Sequence, residues 1–217
     1  HLVNKMLKKI ISIFIASILL VTCFAGCEKG EEETYLACAI GEMPRYFDPQ
    51  VVSNTGEKIV AVNVFDGLFK LDENGEAQKC AVKDYKVSAD GLTYTFYLKN
   101  DMKYYISDEV KNFLEDMEKT VEGKVTANDF VFAMRRAINP ATGSAFAHRL
   151  FVISNATQIY SGALPVEQLG VTASDDNTLV IQLSEACPDF LERLTESVFM
   201  PCNDIDAALC SYTSAMP

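Results

Sequence analysis

The sequence predicts an α/β fold, a mixed sheet with flanking helices. Three observations carry that expectation. Runs rich in β-formers flank turn pairs at Asn74-Gly75 and Asp90-Gly91, and a third pair of runs flanks Asp175-Asp176-Asn177. One amphipathic helix with start and stop signals stands between these hairpins, over residues 126–138. Strands and helices alternate irregularly along the chain, with no internal repeat of fixed period.

The N-terminal end reads as a leader rather than as part of that fold. Met6 is taken as the start; Lys8-Lys9 follows, then the apolar run Ile10 to Thr22. A basic segment, an apolar segment and small residues at the end describe a secretory signal peptide over 1–26. At Ile10 to Ala25 the apolar stretch falls short of the ~20 residues a membrane-spanning helix needs. Ala25-Gly26 stands directly before Cys27 and resembles the lipobox of bacterial lipoproteins, with Phe24 where Leu is usual. That resemblance implies cleavage before Cys27 and a diacylglyceryl group on its thiol, two acyl chains being the number that stable anchoring takes. Cys23 is the poorer acceptor because Thr22 precedes it. Glu28 to Thr34 is charged and aperiodic, and with Cys27 forms an expected tether over 27–34.

The body, 35–217, starts with Tyr35 to Ile40, an apolar run suited to a buried strand. Gly41 to Pro49 is a loop broken by Pro44 and Pro49. Ile59 to Leu68 predicts a helix ending near Gly67, where glycine would cap it. Phe69-Lys70-Leu71 opens the first hairpin. Tyr85 to Ser88 and Thr93 to Leu98 form the second, the latter with strongly β-forming composition. Tyr105 to Gly123 is charged and places Val110, Phe113, Leu114 and Met117 at helical spacing, which predicts a surface helix. Thr126 is the expected N-cap of the next helix, with Asp129 at its third position. Phe130, Ala133, Met134, Ala137 and Ile138 form its apolar face, and Asn139-Pro140 stops it. Val171 to Ser174 and Thr178 to Leu183 make the last hairpin. Pro188 opens a short helix through about Glu196, with Phe190, Leu191 and Leu194 facing inward.

Composition excludes several classes of function. The chain has 217 residues, 49% of them apolar, which suits a globular body, and a net charge of −11. That charge argues against nucleic acid, whose phosphates need clustered Lys and Arg. No zinc-type cysteine pair occurs among Cys38, Cys80, Cys187, Cys202 and Cys210, and no cofactor motif is present. Their spacing leaves disulfides and single buried thiols equally open. His148 is the only histidine after the leader, and no GxSxG, phosphate loop or HExxH is found, so an enzyme is not expected. Glu42 and Asp48 could form a carboxylate pair, but nothing in the sequence fixes their separation.

Six segments in order resemble the oligopeptide-binding family of extracellular solute-binding proteins. They are Gly41-Glu42 followed by Phe47-Asp48-Pro49, Asn63-Val64-Phe65-Asp66-Gly67-Leu68, Val87 to Phe96, Val125 to Phe132, Asn139-Pro140, and Gly170 through Leu179. The resemblance runs from about Thr34 to Cys202. It departs at Lys103-Tyr104, where the family carries a Lys-Trp-Ser segment, and the charged helix that follows reads as a surface insertion. The resemblance implies a type II periplasmic-binding-protein fold with two lobes around a cleft. The family is much longer, so the second lobe is expected to be missing and the chain to be a truncated product.

The same resemblance implies a function: a lipoprotein on the outer face of the cell membrane that captures peptides for an ABC importer and hands them to its permease subunits. Nickel, glutathione or sugar as ligand, and a peptide-sensing role, are the alternatives. It also points to the residues after the Asp-Pro step, Ser53, Asn54 and Thr55, as ligand-binding. Two readings of these three stand: hydrogen bonds to a peptide, or a polar helix start. The chain alone is expected to bind weakly or not at all.

Overall fold

The computed structural model describes residues 41, 44–106, 108, 111–112, 115 and 123–203. The expected leader, Cys27, the tether, the Tyr35–Ile40 strand, Glu42, Cys38 and Cys210 lie outside the described residues, as do Val110, Phe113, Leu114 and Met117.

The described chain begins with helix α1 (Thr55–Val64), followed by the hairpin β1 (Phe69–Leu71) and β2 (Ala77–Lys79). Strands β3 (Val82–Val87) and β4 (Thr93–Leu98) come next, then helix α2 (Ala127–Ile138). Two 3-10 segments, Pro140–Thr142 and Ala147–Val152, lead to the short helix α3 (Ala156–Tyr160). The last hairpin is β5 (Val171–Asp175) and β6 (Thr178–Gln182), after which come α4 (Phe190–Arg193) and a final 3-10 turn, Ser197–Phe199.

The four long strands form one sheet in the order β3-β4-β6-β5, and β1-β2 stand apart as a pair. Every pairing between these strands is antiparallel. The strand period of two sorts the sheet into faces. Tyr85, Phe96, Leu179 and Ala173 are in register across it, as are Tyr94, Ile181 and Val171. This is the apolar face. Helix α2 covers its β5–β6 half, and Phe69 and Phe190 cover the other. The Phe69 ring meets Phe96 edge-on at 6.0 Å, and Phe190 lies 4.8 Å from Tyr94.

Helix α2 forms where its signals predict. Asp129 accepts from the Thr126 N–H at 2.6 Å and from its hydroxyl at 2.9 Å. Phe130, Ala133, Met134, Ala137 and Ile138 are all fully enclosed. Each large side chain so buried contributes about 1.5–3 kcal/mol against exposure, so this one face anchors the helix to the sheet.

Three local expectations are corrected. Helix α1 starts and ends four residues earlier than its apolar run, and Gly67 does not cap it: Phe65 leaves the helix in an extended conformation. Leu68 and Phe69 are core residues, and placing them there requires an extended approach. The hairpins at Gly75 and Gly91 are not two-residue turns. They span 72–76 and 88–92, with the glycine alone at positive φ (80° and 72°) and a carboxylate, Asp72 or Asp90, gathering the loop N–H groups. The helix expected to run from Pro188 to Glu196 is one turn long; Phe190 and Leu194 are nonetheless buried.

The insertion is joined to the fold by a narrow neck. Lys103 and Lys124 form an antiparallel bridge, flanked by Tyr104 N–H to Gly123 O at 2.7 Å and Val125 N–H to Met102 O at 3.0 Å. Asp108, Lys111, Asn112 and Glu115 are helical and exposed, as expected of a surface helix. Cys80, Cys187 and Cys202 carry buried thiols. Among the described residues no helix is long and apolar enough to cross a membrane.

Candidate ligand-binding site

The segment 44–54 precedes α1 and carries the residues that the sequence singled out. Its middle is a turn. Asp48 accepts the Gln50 N–H on Oδ1 at 3.0 Å, and its carbonyl accepts from Val51 and Val52. An aspartate before proline makes such turns readily. The Asp48 carboxylate is nearly enclosed, at 3% exposure. Burial of that kind demands a partner, and Arg136 from the last turn of α2 supplies it with a two-pronged ion pair. The same guanidinium reaches Gln50 Oε1 at 3.1 Å, and Gln50 Nε2 donates to the Met200 carbonyl at 2.9 Å. Loop, helix and the residue that follows the Ser197–Phe199 turn are thereby knotted at one point.

A second anchor lies at the start of α1. Asn54 is the N-cap, its side chain accepting from the Glu57 N–H at 2.9 Å. Glu57 is wholly enclosed. Its carboxylate accepts from the Arg45 N–H at 3.0 Å, the Ser53 N–H at 2.7 Å and the Ser53 hydroxyl at 3.2 Å. Burial pushes this carboxyl up, but the donors from Ser53, Arg45 and Asn54 outweigh it and hold the group below the ordinary value of 4.5.

Of the three residues expected at the site, Ser53 and Thr55 are exposed and Asn54 is half-buried. Ser53 and Asn54 do make a polar helix start. Ser53 also lines a cleft of about 540 Å³ together with Tyr46, Val51, Arg136, Thr142 and Gly143. The two roles coexist, since a hydroxyl that donates to Glu57 still has lone pairs to accept with. Asp48 faces the same cleft, but its carboxylate is committed to Arg136. Arg45 meets Glu57 through its backbone N–H. Its neighbour Lys58 sets its ammonium 3.8 Å over the Phe146 ring, bracing α1 against the chain that follows α2.

Sequence reasoning missed Glu57, Gln50 and Arg136. Glu57 had a signal: Asn54-x-x-Glu57 is a helix-start pattern, hidden because the apolar run placed the helix too late. Arg136 had none, since its role depends on a contact far along the chain. Two other clefts, of about 410 and 440 Å³, lie along the segment 151–161 and around Cys187. His148 borders the second; it is exposed and pairs with the Phe146 ring at 6.1 Å. Among the described residues no group of three His, Cys, Asp or Glu side chains is placed to hold a metal.

The model of bacterial extracellular solute-binding proteins, family 5 (middle segment), matches residues 76–209. The chain belongs to this family. A dipeptide-binding protein of Lactococcus lactis subsp. cremoris is 32% identical over 189 residues, covering 87% of this chain but 31% of the relative. An oligopeptide ABC transporter substrate-binding domain from Bacillus anthracis superposes with a TM-score of 0.65 at 32% identity, covering 74% of this chain and 28% of that one. Haemophilus influenzae OppA, solved in complex with the peptide RPPGFSPFR, gives 0.65 at 31% identity over 76% of this chain and 30% of that one. The family and the type II periplasmic-binding fold expected from the sequence are therefore the ones found. The chain spans about a third of the length of the relatives it matches.

Proposed function

We propose that this chain contributes one side of the cleft of a peptide-capturing lipoprotein that serves an ABC importer. The observation that carries the reading is the match to family members named for dipeptides and oligopeptides, together with a braced polar loop on an open cleft. In this reading Ser53, Asn54 and Thr55 offer hydrogen bonds to the main chain of an extended peptide. Main-chain recognition gives affinity with little sequence preference, and water fills the space around varied side chains. A second lobe closes over the ligand by hinge motion. A half-cleft leaves the ligand wet and its hydrogen bonds weak, so the chain by itself binds poorly. The protein acts as a binder rather than an enzyme, exported by the 1–26 signal and held on the outer face of the membrane by a diacylated Cys27 and the 27–34 tether, where the permease subunits receive its cargo.

Calorimetric titration of the full-length, unlipidated protein with a mixed pool of tri- to pentapeptides tests the reading. Saturable heat is expected, reduced about tenfold in affinity by Ser53→Ala with Thr55→Ala, the loss of one to two hydrogen bonds at 1.4 kcal/mol per decade. No heat with peptides but saturation with nickel or a sugar would replace the substrate class.

A further inference from the structure

The enclosed Glu57 carboxylate does more than a helix start requires. Asn54 already caps α1, and a neutral side chain at position 57 would leave that cap in place. A buried charge is unfavourable unless every lone pair it turns inward finds a donor. Here the donors come from both ends of the loop that lines the cleft: Arg45 N–H at one end, Ser53 N–H and hydroxyl at the other. Between those ends the Asp48 turn is fixed separately by Arg136 and Gln50. The loop thus has three fixed points, and Glu57 provides two of them.

We propose that Glu57 is the positioning residue of the ligand-binding loop, setting the backbone at 45 and 53 so that Ser53 presents its free side to the cleft. This rests on the reading of that loop as the ligand-facing one. The ionised acid is the fitting group because it only accepts. Glutamine at 57 would turn an NH2 toward a loop N–H, leaving two donors opposed, and one end of the loop would come away.

The test compares wild type, Glu57→Gln and Thr126→Ala in the full-length protein. Thr126→Ala removes a polar group from the start of α2, away from the loop, and controls for general loss of stability. Hydrogen exchange at the Arg45 and Ser53 amides and affinity for the tri- to pentapeptide pool are measured well below the melting temperature of all three. The expected result is fast exchange at one of the two amides, the one that faces the NH2, and at least tenfold weaker peptide binding in Glu57→Gln alone. Fast exchange with affinity within twofold of wild type overturns the positioning role and leaves the peptide reading standing. Equal loss of affinity in Thr126→Ala also overturns it, because the effect is then one of stability. If wild type shows protected amides and no binding of any peptide, the peptide reading fails in the wild type itself, and this inference fails with it.

Discussion

Asp48 and Arg136 stand 88 positions apart in the chain, yet each has the other as its answer to burial. The side chain of Asp48 is 4% exposed and that of Arg136 14%. Removing one member of such a pair strands the other, which typically costs about 3–5 kcal/mol, whereas the pair itself adds little net stability. Asp48→Ala is expected to lower the stability of the folded protein by about 3 kcal/mol, read as a shift in the urea midpoint. A shift worth less than about 1 kcal/mol would show that water already shares the site. The turn at Asp48-Pro49 was legible from two adjacent residues, because its chemistry is local. Its ion pair was not, since nothing near Arg136 in the sequence distinguishes it from Arg135, whose guanidinium instead reaches the Glu167 carbonyl.

At the scale of elements, local signals worked where propensity, capping and pattern agreed. Helix α2 has all three, and its extent and buried face follow from the sequence. In α1 they conflict: its polar first turn, Thr55 to Lys58, hides the start, and the apolar Phe65 to Leu68 extends the pattern past the true end. The last hairpin was legible, but its tie to α3 was not. Gly170 sits where Ser154 and Gln182 meet, donating to the Ser154 carbonyl at 3.0 Å and accepting from Gln182 at 2.7 Å. A methyl group there would lie 2.8 Å from both the Gln182 oxygen and Ser154 Cβ. Gly170→Ala is therefore expected to destabilise by about 1–3 kcal/mol through overpacking. An unchanged melting temperature would mean that the 152–154 segment can give way.

For the molecule as a whole, the thiols report on global opening. Burial, and then the neighbouring carboxylates of Asp66 and Asp189, push Cys80 and Cys187 up to about 11. The thiolate is the reactive form, and it is favoured only as pH rises through that value, so at pH 8 about a thousandth of each is ionised. Alkylation at pH 8, mapped by mass spectrometry, should leave both residues unmodified in native protein and modify them at the rate of unfolding in urea. Fast native labelling of either would contradict the enclosed environment. The five cysteines of the body left disulfides and thiols open on spacing alone, and only the packing of Cys80 against Asp66 and Cys187 against Asp189 separates these two from ordinary surface residues.

The neck at Lys103 and Lys124 has a consequence for how such a protein can change. The chain departs from and returns to adjacent points, held by bonds that belong to the neck itself. The free energy of closing a loop grows only with the logarithm of its length, about 0.6 kcal/mol per doubling. The neck is in that sense a socket: a lineage can lengthen, shorten or exchange what is plugged into it, and acquire a new surface there, while the sheet and the braced loop keep the same sequence requirements.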